Sequence, residues 1–227
     1  MNDVQKIDDA SLEKVRQAAE ETAWLVERGY PTEATVSFVS QHRELGPSEL
    51  RWLDCGTRAN RSYRHHIARE LDAEDVARRP LRIDTASVIA TIEAGLRGAP
   101  LLEGMAGVLC DPSWSREHTV VGEATEEALE IVGKALLSLR PKSTRWFVDS
   151  ATRDADKLVD LLAQADSRWS RVAVEVERVP NVIVRLRGAA LVASTDPAVL
   201  DECASWLNLA ALALTDRSDT RVLSFHG

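Results

Sequence analysis

The sequence predicts an α/β protein, with an all-helical module at residues 1–79 followed by a three-layer, mostly parallel α/β domain at residues 80–227. Three observations predict it. The first 79 residues carry apolar side chains at helical spacing and no strand pattern. From Arg79-Pro80 onward, short apolar runs alternate with helical stretches, as in parallel strands joined by helical crossovers. Four of those runs close on an aspartate: Leu81-Arg82-Ile83-Asp84, Val108-Leu109-Cys110-Asp111, Trp146-Phe147-Val148-Asp149, and 190–195 followed by Asp196.

In the helical module, Asp9-Ala10-Ser11-Leu12 opens a helix whose apolar positions are Leu12, Val15, Ala18, Ala19, Thr22, Ala23 and Val26. Gly29-Tyr30-Pro31 stops it, and the proline starts a second helix that runs to about Arg43. Gly46-Pro47-Ser48 leads into a third with Leu50, Trp52 and Leu53, and a fourth is expected within 61–77. In the α/β domain, strands are expected at 81–84, 107–110, 144–148, 171–177, 190–194 and 207–213, with the apolar segment 181–186 left ambiguous. Helices are expected at 86–97 (Val88, Ile89, Ile92 and Leu96 inward), 124–139 (Ala128, Ile131, Val132, Ala135 and Leu136 inward), 153–164 and 197–205.

The function classes narrow by elimination. With 28 basic and 36 acidic residues the net charge is −8, so nucleic acid could be bound only through a local basic surface. Cys55, Cys110 and Cys203 are few and widely spaced, which suggests a reducing interior and hence a cytoplasmic location. The polar, acidic start at residues 1–9 is unlike a signal peptide, and no apolar run approaches the roughly 18 residues of a membrane span. There is no GxGxxG after a strand, no GxxxxGK[ST], no GxSxG and no HExxH. His65 and His66 are adjacent, so on a helix they diverge, and a solvated surface is expected for both.

The aspartates carry the chemistry. In an open α/β sheet the ligand lies beyond the carboxyl ends of the strands. Carboxylates gathered there repel one another unless a cation lies between them or their pKa values rise, and oxygen-only ligation suits Mg²⁺ or Mn²⁺. The competing reading is that each aspartate is a helix N-cap. Asp84, Asp149 and Asp196 are the candidate catalytic and metal-binding residues, with Asp111 as a fourth acid. Glu93, about 2.5 turns into the helix after Asp84, is expected to be solvated. Arg58, Arg61, Arg64, His65, His66 and Arg69 form a basic stretch that could contact phosphate, or could pair with Glu70, Asp72, Glu74 and Asp75 on a solvated helix face.

Trp24-Leu25-Val26-Glu27-Arg28-Gly29-Tyr30-Pro31 resembles the opening of the helical domain of unknown function 434, whose usual partner resembles PIN-like and NYN-like metal-dependent ribonucleases. Ile83-Asp84-Thr85-Ala86-Ser87-Val88 is similar to that partner's strand end Asp-Gly-x-Asn-Val, with Thr85 and Ser87 in place of glycine and asparagine. Asp111-Pro112 to Arg116-Glu117 is similar to a loop reading Asp-Gly-x-x-Arg-Asp, Val148-Asp149-Ser150 to a third acidic strand end, and Ala193-Ser194-Thr195-Asp196 to the last. Asn181 falls where an aspartate is usual.

The resemblance implies a PIN-like α/β domain and hydrolysis of phosphodiesters, with RNA as substrate. Asp84, Asp149 and Asp196 would hold Mg²⁺ or Mn²⁺, Asp111 would support them, and Arg116 would face the phosphate. The altered neighbours leave a second reading open, a degenerate domain that binds nucleic acid or a protein partner without cutting.

Overall fold

A computed structural model of the chain describes residues 7–58, 63–115, 121–169 and 172–225. The N-terminal helices are α1 (Asp9–Val26), α2 (Thr32–His42), α3 (Pro47–Thr57), α4 (Tyr63–Ile67) and α5 (Ala73–Val76). The Asp8 side chain caps α1 by accepting the Ser11 N–H at 2.7 Å, and the inward face is the predicted set from Leu12 to Val26. The expected fourth helix is two short ones, because Asp72 starts α5 afresh with a reciprocal cap from Asp75.

The α/β part runs β1 (Pro80–Asp84), α6 (Thr85–Leu96), β2 (Leu101–Glu103), β3 (Leu109–Cys110), α7 (Glu123–Leu139), β4 (Ser143–Asp149), α8 (Ala155–Arg168), β5 (Val174–Val179), α9 (Val182–Leu186), β6 (Val192–Ala193), α10 (Pro197–Glu202), β7 (Trp206–Leu207), α11 (Leu209–Leu214) and β8 (Val222–Ser224). Five strands form one sheet in the order β5-β4-β1-β6-β7, and every pairing is parallel. Alternate side chains build two cores. Leu81, Ile83, Trp146, Val148, Ala193 and Leu207 pack under α6, α7, α8 and α11. Phe147, Val192 and Trp206 pack under α9, α10, the end of α1 and Tyr63 of α4. These are the expected three layers, helices on both faces of a parallel sheet.

The strand expected at 107–110 is not part of that sheet. Leu109-Cys110 pairs antiparallel with β2, which pairs parallel with β8, in a separate three-stranded sheet. Its residues share a core with the helical module: Leu102, Cys110 and Phe225 pack with Val15, Ala19, Trp52 and Leu53. Gly56 permits the contact, since a Cβ there would meet the Phe225 ring and Leu102, and its carbonyl accepts the Met105 N–H at 2.8 Å. The strand expected at 207–213 stops at Leu207, and the Leu-Ala run that follows becomes α11, as strong helix formers favour. The ambiguous segment is α9, capped by the Asn181 side chain, which accepts from Val184 N at 3.0 Å. Among the described residues no helix is long and apolar enough to cross a membrane.

Three other expectations are corrected. Cys55 and Cys110 are joined as a disulfide across 55 residues of sequence, so the cysteines do not by themselves indicate a reducing compartment. His66 is not solvated: it is 1% exposed, its Nε2 lies 2.7 Å from Asp201 Oδ1, and its carbonyl accepts from the Trp206 indole, fastening α4 behind β7. Glu93 is buried as well, because it accepts from Thr125 at the start of α7 and from Arg97.

Candidate functional site

From β1 the chain fills the sheet outward through β4 to β5, then returns to the other side of β1 for β6 and β7. Loops leaving β1 and β6 therefore run in opposite directions, which makes their carboxyl ends the switch point at which open α/β sheets bind ligands. The residues at that point are Asp84, last in β1, and Ser194-Thr195-Asp196, just past β6.

Asp84 has no exposed surface. Its Oδ2 accepts from the hydroxyls of Ser87 and Ser194, each at 2.8 Å. Ser87 Oγ in turn accepts the Thr195 N–H at 3.2 Å, and Thr195 Oγ1 lies 2.9 Å from Thr91 Oγ1. Ser87 is thus a direct partner of Asp84.

Asp149 lies two residues past Phe147, the register partner of Asp84, so the two aspartates share a face of the sheet. Its Oδ1 accepts from Ala151 N at 2.9 Å and its Oδ2 from Val182 N at 3.1 Å. Asp196 caps α10 through Ala198 N at 2.9 Å and donates its own N–H to Ser194 Oγ at 3.0 Å. The structure brings the three acids to the ends of the adjacent strands β4, β1 and β6, and it also gives Asp149 and Asp196 capping roles. Among the described residues no group of three His, Cys, Asp or Glu side chains is placed to hold a metal ion.

Beside the switch point is a cleft of about 420 Å³. Thr91, Thr195 and Pro197 form one wall, α3 supplies Arg51, Asp54, Cys55 and Arg58 to the other, and residues 110–115 close the end. Asp111 reaches it from the three-stranded sheet rather than from a fourth parallel strand, because β3 pairs with β2. Its Oδ1 accepts from the Ser113 N–H at 2.8 Å and hydroxyl at 2.6 Å, an aspartate-stabilised turn that turns the loop back over the cleft.

Arg58 lines this cleft, ion-paired with Asp54, and burial lowers its pKa from the usual arginine value. Arg51 lines it too and was not singled out from the sequence. Its signal was the spacing Arg51, Asp54, Cys55, Arg58, which places all four on one side of a helix reaching residue 57. Arg64 is not among the lining residues; it stands largely in solvent, 3.7 Å from Glu27. Arg61 and Arg116 lie outside the described residues.

Two family models match the chain. Residues 73–212 match the one described as domain of unknown function (DUF5616), and residues 14–54 match the one described as protein of unknown function (DUF434). No curated protein and no solved structure matches it.

Proposed function

The chain belongs to the DUF5616 family, and from that premise we propose that it is a metal-dependent phosphodiester hydrolase acting on single-stranded RNA, built on a PIN-like α/β domain. The observation that carries the reading is the set of aspartates at the switch point, Asp149, Asp84 and Asp196 at the ends of three neighbouring parallel strands, with an open cleft beside them. The donor set is oxygen-only, the kind that suits Mg²⁺ or Mn²⁺. Bound there, such an ion would supply Lewis acidity and a water of lowered pKa.

The chain's own residues do the rest. Ser87 and Ser194 hold the Asp84 carboxylate in one orientation, and Arg51 and Arg58 line the cleft as cations for phosphate. An open cleft rather than a closed pocket suits a polymer more than a small phosphate ester. If Asp149 and Asp196 serve as ligands, they share their oxygens between the ion and the backbone N–H groups they already accept.

That competition motivates a second reading, a domain that binds nucleic acid without cutting it. It is favoured by one observation, that both oxygens of Asp149 already accept backbone N–H groups.

Thermal melts with Mn²⁺ and Mg²⁺, run beside cleavage of labelled single-stranded RNA, separate the two. The hydrolase reading expects an ion at about 100 Kd to add roughly 2.7 kcal/mol of stability. It also expects Asp84→Asn and Asp196→Asn to abolish both that gain and cleavage. RNA retained intact with no metal effect selects the second reading, and millimolar metal that leaves the melt unmoved ends the first.

A further inference from the structure

We propose that the Cys55–Cys110 disulfide is a reversible thiol-operated lock that fixes the α3 wall of the cleft to the loop that closes its end. The bond joins α3 of the helical module to β3 of the three-stranded sheet, with Cα atoms 6.7 Å apart. Both cysteines line the cleft. Three residues beyond Cys55 is Arg58, and directly after Cys110 is Asp111, so the bond links the cationic wall to the loop that closes the end. As a regulator of RNA binding it rests on the reading above; as a lock it does not.

Its position suits exchange chemistry. Cys55 is half-buried at the cleft, so its sulfur is the more accessible end of the bond. Cys110 is nearly enclosed, which directs attack to the Cys55 sulfur and makes Cys110 the leaving thiolate. The third cysteine does not compete: Cys203 is buried, and burial pushes its thiol up to about 11. With the bond cut the joint keeps its apolar contacts among Trp52, Leu53, Leu102 and Phe225, so the fold persists while the cleft loses its tether.

The reaction balances with a dithiol as reductant. One thiolate of the dithiol attacks a protein sulfur, the S–S bond breaks and a mixed disulfide forms. The second thiol then closes on the first, so that two electrons and two protons pass to Cys55 and Cys110 and a cyclic disulfide leaves. A disulfide oxidant reverses the sequence.

The test uses the full chain, air-oxidised or equilibrated with dithiothreitol, with Cys55→Ser/Cys110→Ser as a permanently open form. Native alkylation by N-ethylmaleimide is expected to label neither Cys55 nor Cys110 before reduction and both after it, with Cys203 labelled only on unfolding. Reduction is expected to lower the melting temperature by roughly 5–10 °C. It is also expected to increase amide exchange in residues 47–58 and 109–115 while leaving the five-stranded sheet unchanged. The double variant should behave as the reduced chain in either buffer. Both thiols free in oxidised protein, or exchange in these two segments that reduction does not change, overturns the proposal. If the segments loosen but RNA is bound by neither form, the lock stands and the RNA reading falls.

Discussion

The Ser194 hydroxyl donates a 2.8 Å hydrogen bond to Asp84 Oδ2 across 110 residues of sequence. It lies where β1 and β6 separate, one residue beyond a pairing that amounts to two register partners, Arg82 with Val192 and Ile83 with Ala193. So short a ladder holds two halves of a sheet weakly. The hydroxyls of Ser194 and Ser87, converging on one buried carboxyl group, extend the junction with side-chain hydrogen bonds where backbone pairing has run out.

Replacing Asp84 should therefore destabilise the fold whatever the protein does. Asp84→Ala leaves two buried hydroxyls without their acceptor and opens a small cavity, an expected loss of about 3 kcal/mol. Ser194→Ala removes one donor while Ser87 remains, about 1.5 kcal/mol. For a chain of this size each kcal/mol lowers the melting temperature by about 2–4 °C. Urea unfolding of both variants checks the ranking, and an Asp84→Ala variant as stable as the parent removes the junction's structural role.

Much of this site was legible in the sequence because strand ends are local. The runs ending at Asp84 and Asp149 declare themselves by apolar content and length, and the parallel sheet followed from their alternation with helices. Asp111 was misassigned because nothing local distinguishes a two-residue strand in a small antiparallel pair from one more buried parallel strand. Its partner β2 carries no strand signal of its own, and β8, more than a hundred residues on, completes the sheet. His66 and Cys55 were missed for a related reason, since their partners Asp201 and Cys110 lie 135 and 55 residues away. Long-range pairing of polar groups leaves no periodic trace.

Glu70 gives a pH signature of opposite sign to the surface ion pairs. Its carboxyl is raised above the usual glutamate value by partial desolvation first, then by the neighbouring charges of Asp72 and Glu103. The folded state thus holds that proton more tightly than the unfolded one. Its stabilising contribution is full below the ordinary glutamate value and is lost as pH rises through the raised one. Glu177 is the reverse: the hydrogen bond from Arg185 lowers its pKa, so its contribution is present above the ordinary value and lost as pH falls through the lowered one. Glu70→Gln should accordingly raise the melting temperature at pH 7, with the gain fading by about pH 4, while Glu177→Gln should lower it at pH 7. Melts of both variants at the two pH values check this, and a Glu70→Gln variant less stable than the parent at pH 7 contradicts it.

The arginines offer the most direct test of nucleic-acid binding. With a net charge of −8 the chain can hold a polyanion only where cations are locally concentrated, and Arg51 and Arg58 share one wall of the cleft beside the switch point. Arg51 makes no ion pair among the described residues, whereas Arg58 spends part of its charge on Asp54. Arg51→Ala should then weaken single-stranded RNA binding more than Arg58→Ala. The double variant should reduce the slope of log K against log salt by up to about 1.4, or about 0.7 for each phosphate that is no longer neutralised. Arg64 serves as the control, being exposed, absent from the cleft lining and beside Glu27, so Arg64→Ala should leave affinity and slope unchanged. Filter binding or anisotropy at several salt concentrations reads all four variants. If Arg64→Ala weakens binding as much as Arg51→Ala does, the attraction is diffuse and spread over the surface, and the cleft is not where RNA lies.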